Sequence, residues 1–435
     1  MPSAAIICII SISIAGAFAA GRYSMWKITA LIASNSIQVF LFASGLFYLF
    51  LSFRGFWGLK KTPPAAGRRR FALLVPAHNE EGVVGLAVQS LVSQKYPRGL
   101  FDIFVVADHC SDNTAPVAAA AGARVLDHSG PGLKAGKGRA LKWVTAKILA
   151  LGGYDAFCYF DADSLAHPGF LEAMNAHLAA GDKALQGRQV AKNTSKLLSK
   201  ILASGHLVSN RFFQLPKQAL GLSANLNGKG MCFSSEVAAA FHWDETCLTE
   251  DIEMQMRLVR HGVHIAWAQD ALVYDEEPEE LSQYICRTIR WTRGSLDVAR
   301  RHLPGLFARA LRRFDPKALE GAVYCSQTYR FAAVMLAAAL VWLNRDSFNL
   351  LVWLFHRLPG VANTLKIVSL VPLLLYPAVA LLIEKARPDL LVAYFLHPVL
   401  AALRLPIFVA GVLRGRDFWG RTEHTSRVVI ADLVE

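Results

Sequence analysis

Between residue 71 and about residue 275 the chain has no apolar run long enough to cross a bilayer, yet apolar runs crowd the sequence on both sides. That contrast limits the fold more than any single motif does, because it requires a water-facing domain held between membrane-seeking ends. Residues 4–20 and about 30–53 are apolar, each near the ~20 residues that a hydrocarbon core demands. No basic stretch precedes the first, and the second follows at once, so a helical hairpin or signal anchor is expected rather than a cleaved signal peptide. Lys60, Lys61, Arg68, Arg69 and Arg70 come next and would keep the following domain in the cytoplasm. Further spans are expected near 325–343, 363–383 and 389–412. The first of these carries Arg330. The last carries His397, Pro398, Arg404 and Pro406 and reads as broken, re-entrant or interfacial.

The organisation that follows has N-terminal transmembrane helices in 1–58, a catalytic domain in 59–280, amphipathic interface helices in 281–316, C-terminal transmembrane helices in 317–413 and a tail in 414–435. The formal charge of +13 clusters beside apolar segments, which suits anionic lipid headgroups rather than nucleic acid. The seven cysteines have neither zinc-site nor disulfide-framework spacing, and none is expected to act as a nucleophile.

Within the central domain, short branched or aromatic runs end in polar clusters and are followed by helix-like stretches. Phe71–Val75, Phe101–Ala107 and Ala156–Phe160 read as buried strands, and 81–94, 112–121 and 138–151 as helices. Strand–helix alternation implies a mostly parallel sheet, and open parallel sheets bind ligands at the carboxyl ends of their strands. The acidic motifs lie at those ends. Pro76-Ala-His78-Asn79-Glu80-Glu81 suits a nucleotide base and ribose, with Asn79 as a helix cap the plainer alternative. Asp108 can accept a hydrogen bond from a uracil N–H, and Asp112 is better placed as a cap. Gly136-Lys137-Gly138-Arg139 can approach a diphosphate through backbone N–H groups and the lysine, although the P-loop spacing is absent.

Asp161-Ala-Asp163 offers two carboxylates, enough to hold a ribose and a hard divalent ion, Mg²⁺ or Mn²⁺. Thr249-Glu250-Asp251 opens a helix. Its carboxylates either cap that helix or provide a general base, Asp251 first and Glu250 second. Arg290 can clamp a diphosphate. Trp291 can stack on a sugar or sit at a membrane surface.

Taken in this order, the motifs resemble the family 2 glycosyltransferases of the GT-A fold, the group that includes cellulose, chitin and hyaluronan synthases. The resemblance covers roughly residues 70 to 295. It implies a Rossmann-like α/β domain with helices on both faces of the sheet, flanked by transmembrane helices. It also implies an inverting transfer from a nucleotide-sugar donor, UDP-linked, to a lipid-linked or glycan acceptor. In that pattern Pro76, His78, Asn79, Glu80, Asp108, Lys137, Asp161 and Arg290 bind the donor, and Asp163 holds the metal. Asp251, with Glu250 beside it, supplies the base, and Gly228, Lys229, Gly230 and Trp291 meet the acceptor.

Trp419-Gly-Arg421-Thr422 resembles a tail motif of some members. One departure stands out: polymer-forming members carry Gln-x-x-Arg-Trp, whereas this chain has Arg287 in place of the Gln. That is closer to ceramide glucosyltransferases, and it puts transfer of a single sugar ahead of polymer synthesis. A membrane transporter, or a nucleotide-binding protein without transferase activity, are the competing classes.

Overall fold

The computed structural model describes residues 25–343, 375–413, 424 and 426–434. The apolar segment 4–20, most of the 363–383 segment and the Trp419–Thr422 motif lie outside the described residues. The chain divides into two compact units. One comprises Met1–Phe50 with Gln327–Tyr376, and the other Leu51–Ser326 with Pro377–Glu435.

Nearly all described residues of the smaller unit are helical, within Met25–Phe53 as far as Phe50 and in Gln327–Tyr329 and Arg330–Leu343. Among the described residues, Met25–Phe56 and Pro316–Leu343 are long and apolar enough to cross a membrane. Pro388–Tyr394 and His397–Leu413, bent by 45°, make a third if counted as one span. The bend falls where the sequence indicated a broken segment. In the larger unit His397–Leu413 lies along the protein surface: Gly411 meets Thr292, and His397 Nε2 is 3.2 Å from Ser204 Oγ.

The larger unit is built on an eight-stranded sheet. Its strands are β1 (Phe71–Ala77), β2 (Phe101–Ala107), β3 (Arg124–Asp127), β4 (Ala156–Tyr159), β5 (Leu165–Ala166), β6 (Ala184–Ala191), β7 (Met231–Ser234) and β8 (Ile265–Asp275). Their spatial order is β3-β2-β1-β4-β7-β6-β8-β5. β1, β2, β3 and β4 pair in parallel. β7 runs antiparallel to both β4 and β6, and β5 antiparallel to β8. The sheet is therefore mixed, parallel in the half that the sequence motifs mark.

Both faces are covered, which is why β1 is buried at every residue. Alternation along β1 sends Phe71, Leu73 and Val75 into one core with Val84, Val88 and Leu91. Ala72 and Leu74 enter the other, with Leu141, Val144 and Ile148.

The helix pair expected after residue 280 is a single helix, Leu281–Arg313, with Pro304 inside it. The proline costs one backbone hydrogen bond, and the loss is offset by packing of Leu303, Leu306 and Phe307 against the core on either side. The helix stops at Phe314, which takes a left-handed φ of 49°, and the chain turns back as Pro316–Ser326.

Candidate active site

Parallel pairing sets Ala77 beside Ala107, so the residues that follow β1 and β2 emerge at one edge. The two turns are stitched together. His78 Nδ1 donates to the Asp108 carbonyl at 2.6 Å, and Asn79 Oδ1 accepts from the Ser111 N–H at 2.7 Å. Asn79 therefore ties one strand end to the other instead of capping a helix. Asp112 does act locally, accepting the Thr114 N–H at 3.0 Å where the helix Thr114–Ala120 begins. Thr114 Oγ1 in turn receives the Glu80 N–H at 2.7 Å. Pro76 is a buried residue within β1.

Asp108 is almost fully enclosed, at 4% exposure. Its Oδ1 lies 2.9 Å from His109 Nδ1 and 2.8 Å from His128 Nδ1, and its Oδ2 accepts the Gly136 N–H at 2.7 Å. Burial pushes this carboxyl upward, but the hydrogen bonds from His128, Gly136 and His109 outweigh it and hold the group below the ordinary carboxylate range.

The helix Lys137–Leu151 starts next. Gly138 has to be glycine, because a Cβ there would lie 2.2 Å from the Asp244 carbonyl oxygen. Lys137 Nζ bridges Asp161 Oδ1 at 2.6 Å and Glu250 Oε1 at 3.0 Å. Burial works against its charge, but Asp161 and Glu250 hold its pKa above the usual lysine value.

Asp161 and Asp163 follow β4, as the sequence indicated. Lys229 Nζ pairs with Asp275 and lies 3.9 Å from Asp161 Oδ2, which places it among these carboxylates. Asp163, Glu276 and His424 bring their ligand atoms within 4.8 Å of one another, with His424 Nδ1 3.2 Å from Asp163 Oδ2. Lys192 Nζ stands 2.9 Å from Glu276 Oε2 and donates to the Asp163 carbonyl at 2.8 Å.

Six carboxylates (Asp161, Asp163, Glu250, Asp251, Asp275 and Glu276) thus share this region with three ammonium groups, those of Lys137, Lys192 and Lys229. The excess of negative charge among the described residues, with the ligand atoms of Asp163, Glu276 and His424 within 4.8 Å of one another, fits a hard divalent cation with oxygen and imidazole ligands.

Glu250 and Asp251 begin the helix Glu250–His261, whose N-terminal dipole favours negative charge. Asp251 nevertheless titrates high. Burial first, then the neighbouring Glu250 charge, push it up to about 6, against the pull of Lys137. Gly228, at φ 80°, covers the group closely: a Cβ there would sit 3.2 Å from Asp251 Oδ2 and 3.4 Å from Lys137 Nζ. Gly230, at φ 62°, begins the return into β7. On the other side, Gly294 allows the helix Leu281–Arg313 to touch Thr249, whose side chain would be 2.6 Å from a Cβ at that position.

One turn before Gly294 lies Arg290, half-buried and in no ion pair among the described residues. Trp291 is 44% exposed, with the Arg287 guanidinium 4.6 Å from its ring centroid. Arg287 itself is clasped: it donates to Glu277 Oε2 at 2.7 Å, while His206 Nε2 is 2.5 Å from the other Glu277 oxygen. Burial raises the Glu277 carboxyl, but Arg287 and His206 more than reverse this and hold it far below the carboxylate range. Arg287→Gln should therefore destabilise the fold by about 3 kcal/mol, because it leaves a buried carboxylate with one partner. Denaturation of the purified protein measures this, and an unchanged midpoint would show that the clasp carries no stability.

The sequence motifs thus converge, but several groups that complete the site had no signal of their own. Glu276 and Glu277 lie in the acidic run Asp275-Glu-Glu-Pro-Glu-Glu280, which could have flagged them. Lys192, His128 and His424 stand alone in the sequence, with no motif spacing to mark them.

Residues 68–294 match the profile described as Glycosyltransferase like family 2. Among curated proteins, the chain is 24% identical over 253 residues to the Probable glycosyltransferase YdaM of Bacillus subtilis, covering 56% of this chain and 59% of that one. It is 27% identical over 214 residues to the Beta-monoglucosyldiacylglycerol synthase of Synechocystis sp., covering 48% and 43%. The chain therefore spans about half the length of the curated relatives it matches. Among solved structures, the mannosyltransferase PcManGT from Pyrobaculum calidifontis, in complex with GDP-Man and Mn²⁺, superposes with a TM-score of 0.56. That alignment covers 88% of this chain and 98% of the other at 15% identity, a likeness of fold.

Proposed function

Because the chain belongs to the family 2-like glycosyltransferases, through residues 68–294, we propose that it moves one hexose or N-acetylhexosamine from a UDP-linked donor to a hydroxyl of a membrane lipid, inverting the configuration at C1. The observation that carries this reading is the meeting of Lys137, Asp161, Glu250 and Asp251 at one sheet edge, with Asp251 poised near pH 6.

The nucleotide lies against the His78–Glu80 and Asp108 turns. Lys137 and Arg290 face the diphosphate, and Asp161 meets the ribose. Asp163, Glu276 and His424 would hold Mg²⁺ or Mn²⁺, which when bound lowers the charge on the leaving diphosphate. The acceptor hydroxyl enters beside the Gly228-Lys229-Gly230 loop and Trp291. Its oxygen attacks C1 from the face opposite the leaving group, the C1–O bond to the diphosphate breaks, and the hydroxyl proton passes to the Asp251 carboxylate. The Asp251 carboxylate is a stronger base than an ordinary aspartate and is still deprotonated at neutral pH, which is the condition for general-base work. Positioning by the enclosed site supplies much of the remainder.

Three observations support a lipid acceptor and a membrane setting with a cytoplasmic catalytic domain. The apolar helices are long enough to cross a bilayer, Lys60 and Lys61 follow the first of them, and a relative is named as a beta-monoglucosyldiacylglycerol synthase. The clasped Arg287, where polymer-forming members have Gln, supports a single transfer over chain extension.

The test is to incubate the protein in membranes with labelled UDP-glucose, UDP-galactose, UDP-N-acetylglucosamine and GDP-mannose, with Mn²⁺ and diacylglycerol. The expected result is nucleoside diphosphate release from a UDP-sugar, with the label passing into the organic phase. Label retained in a water-soluble polymer would overturn the lipid acceptor. Failure of every donor to bind would overturn the transferase reading.

A further inference from the structure

We propose that His109, protonated on both ring nitrogens, pins the loop of residues 129–136 over the nucleotide end of the site and so acts as a positioning residue for donor binding; this rests on the nucleotide-sugar reading above. The two ring nitrogens face different acceptors. Nδ1 is 2.9 Å from Asp108 Oδ1, and Nε2 is 3.2 Å from the Leu133 carbonyl oxygen. A carboxylate and a carbonyl can only accept, and a neutral imidazole has a single N–H. Satisfying both contacts therefore requires the imidazolium.

The same carboxylate holds the loop at its two ends. His128, just before it, reaches Asp108 Oδ1 at 2.8 Å, and the Gly136 N–H, at its close, reaches Oδ2 at 2.7 Å. His109 fixes the middle, at Leu133. With three donors on two oxygens, Asp108 organises the loop, and the loop leads directly into Lys137, the ammonium that bridges Asp161 and Glu250. His109 adopts a left-handed φ of 50°, a conformation uncommon in non-glycine residues but entered by histidine and asparagine more readily than by most.

The titratable groups facing His109 are Asp108 beside it, and Asp127 and His128 at the end of β3. Lys134, next to Leu133, is the loop's one basic side chain. The hydrogen bond to Asp108, opposed by burial, raises the His109 pKa above that of a free imidazole. The bound proton is present at low pH and lost as pH rises through that raised value. One of the two contacts, to Asp108 or to the Leu133 carbonyl, then loses its donor, the bridge between them is broken, and the loop loosens.

The experiment is calorimetric titration of the full chain with UDP and GDP from pH 6.5 to 8.5, for wild type and His109→Asn, with steady-state kinetics in parallel. Asparagine tolerates the left-handed backbone but cannot carry the charge or bridge both acceptors. Wild-type affinity for the nucleoside diphosphate should weaken about tenfold across that range, the scale of a lost charge-assisted hydrogen bond. His109→Asn should bind about tenfold more weakly at pH 6.5, show no pH slope, and keep kcat within about twofold. A variant that keeps the wild-type slope, or that loses kcat in proportion to affinity, would overturn the pin. So would one equivalent of zinc in the purified protein that disappears in His109→Asn, since Asp108, His109 and His128 would then be metal ligands. If wild type binds no nucleoside diphosphate at any pH, the nucleotide-sugar reading fails; if it binds without a pH slope, the role of His109 alone fails.

Discussion

Asp251→Asn should lower kcat for sugar transfer by about 10³-fold, within the range that a positioned general base contributes, and leave the protein at least as stable as wild type. Both halves have one cause. The Asp251 carboxyl is pushed up to about 6 because burial and the adjacent Glu250 charge disfavour its ionised form. A carboxyl whose folded pKa is raised favours the folded state while it is protonated. That contribution fades as pH climbs from the unfolded value through about 6, so at neutral pH the charge works against folding. Asparagine removes the charge and can still accept the Ile252 N–H that Asp251 Oδ1 takes at 2.8 Å. The wild-type kcat should also fall about tenfold per pH unit below about pH 6, the limb that reports protonation of the base. Donor affinity, governed at the far end of the site, should not follow that limb. A variant with normal turnover would remove Asp251 from the role of base, and one less stable than wild type would show that the charge does not work against folding.

The second large effect concerns the divalent ion. Chelation should reduce turnover by about 10³-fold, with Mn²⁺ or Mg²⁺ restoring it, because neutralising charge on the leaving diphosphate is worth several kcal/mol. Asp163→Ala should not be restored by added metal. His424→Ala should keep some activity but need at least about tenfold more metal, as expected when part of a metal's surroundings is lost. Electron paramagnetic resonance of Mn²⁺ bound in the presence of UDP follows the same order without relying on turnover. Full activity of Asp163→Ala under chelation would mean that the lysines supply the positive charge alone.

The sequence disclosed the half of the sheet whose strands are buried on both faces. Phe71–Ala77 and Ala156–Tyr159 are continuous apolar runs and Phe101–Ala107 is one broken only by Asp102, and such runs are readable without neighbours. β3 is exposed or half-buried along Arg124–Asp127 and had no such signature. β6 contains Gly187 and Arg188, where its pairing with β8 shifts register, and β8 carries Gln269 and Asp270 at the matching interruption. Pairing with other strands, rather than local preference, makes these segments strands.

The site divides in the same way. Asp108, Lys137, Asp161 and Asp163 sit at ends of elements that the pattern reveals. Asp251 and Glu250 are given by a helix start. His128, Lys192 and His424 act through distance in space alone. Arg287 was visible as an odd residue in a motif, but its partners Glu277 and His206 were not, since nothing in the chain's periodicity brings 206, 277 and 287 together.

The Arg287–Glu277 clasp also constrains how such a chain can diverge. Starting from this protein, a glutamine at 287 leaves a buried carboxylate with His206 as its one partner, and a neutral residue at 277 leaves a buried guanidinium beneath Trp291 without its carboxylate. Each single step is a descent, while the two together restore neutrality. The loss from Arg287→Gln should accordingly be largely recovered in a background that also carries Glu277→Gln, a coupling that a double-mutant cycle would measure directly. Descendants should keep both charges or neither, so that identity at 287 forecasts identity at 277. Drift between the two forms of the motif is then gated by a valley only paired changes can cross.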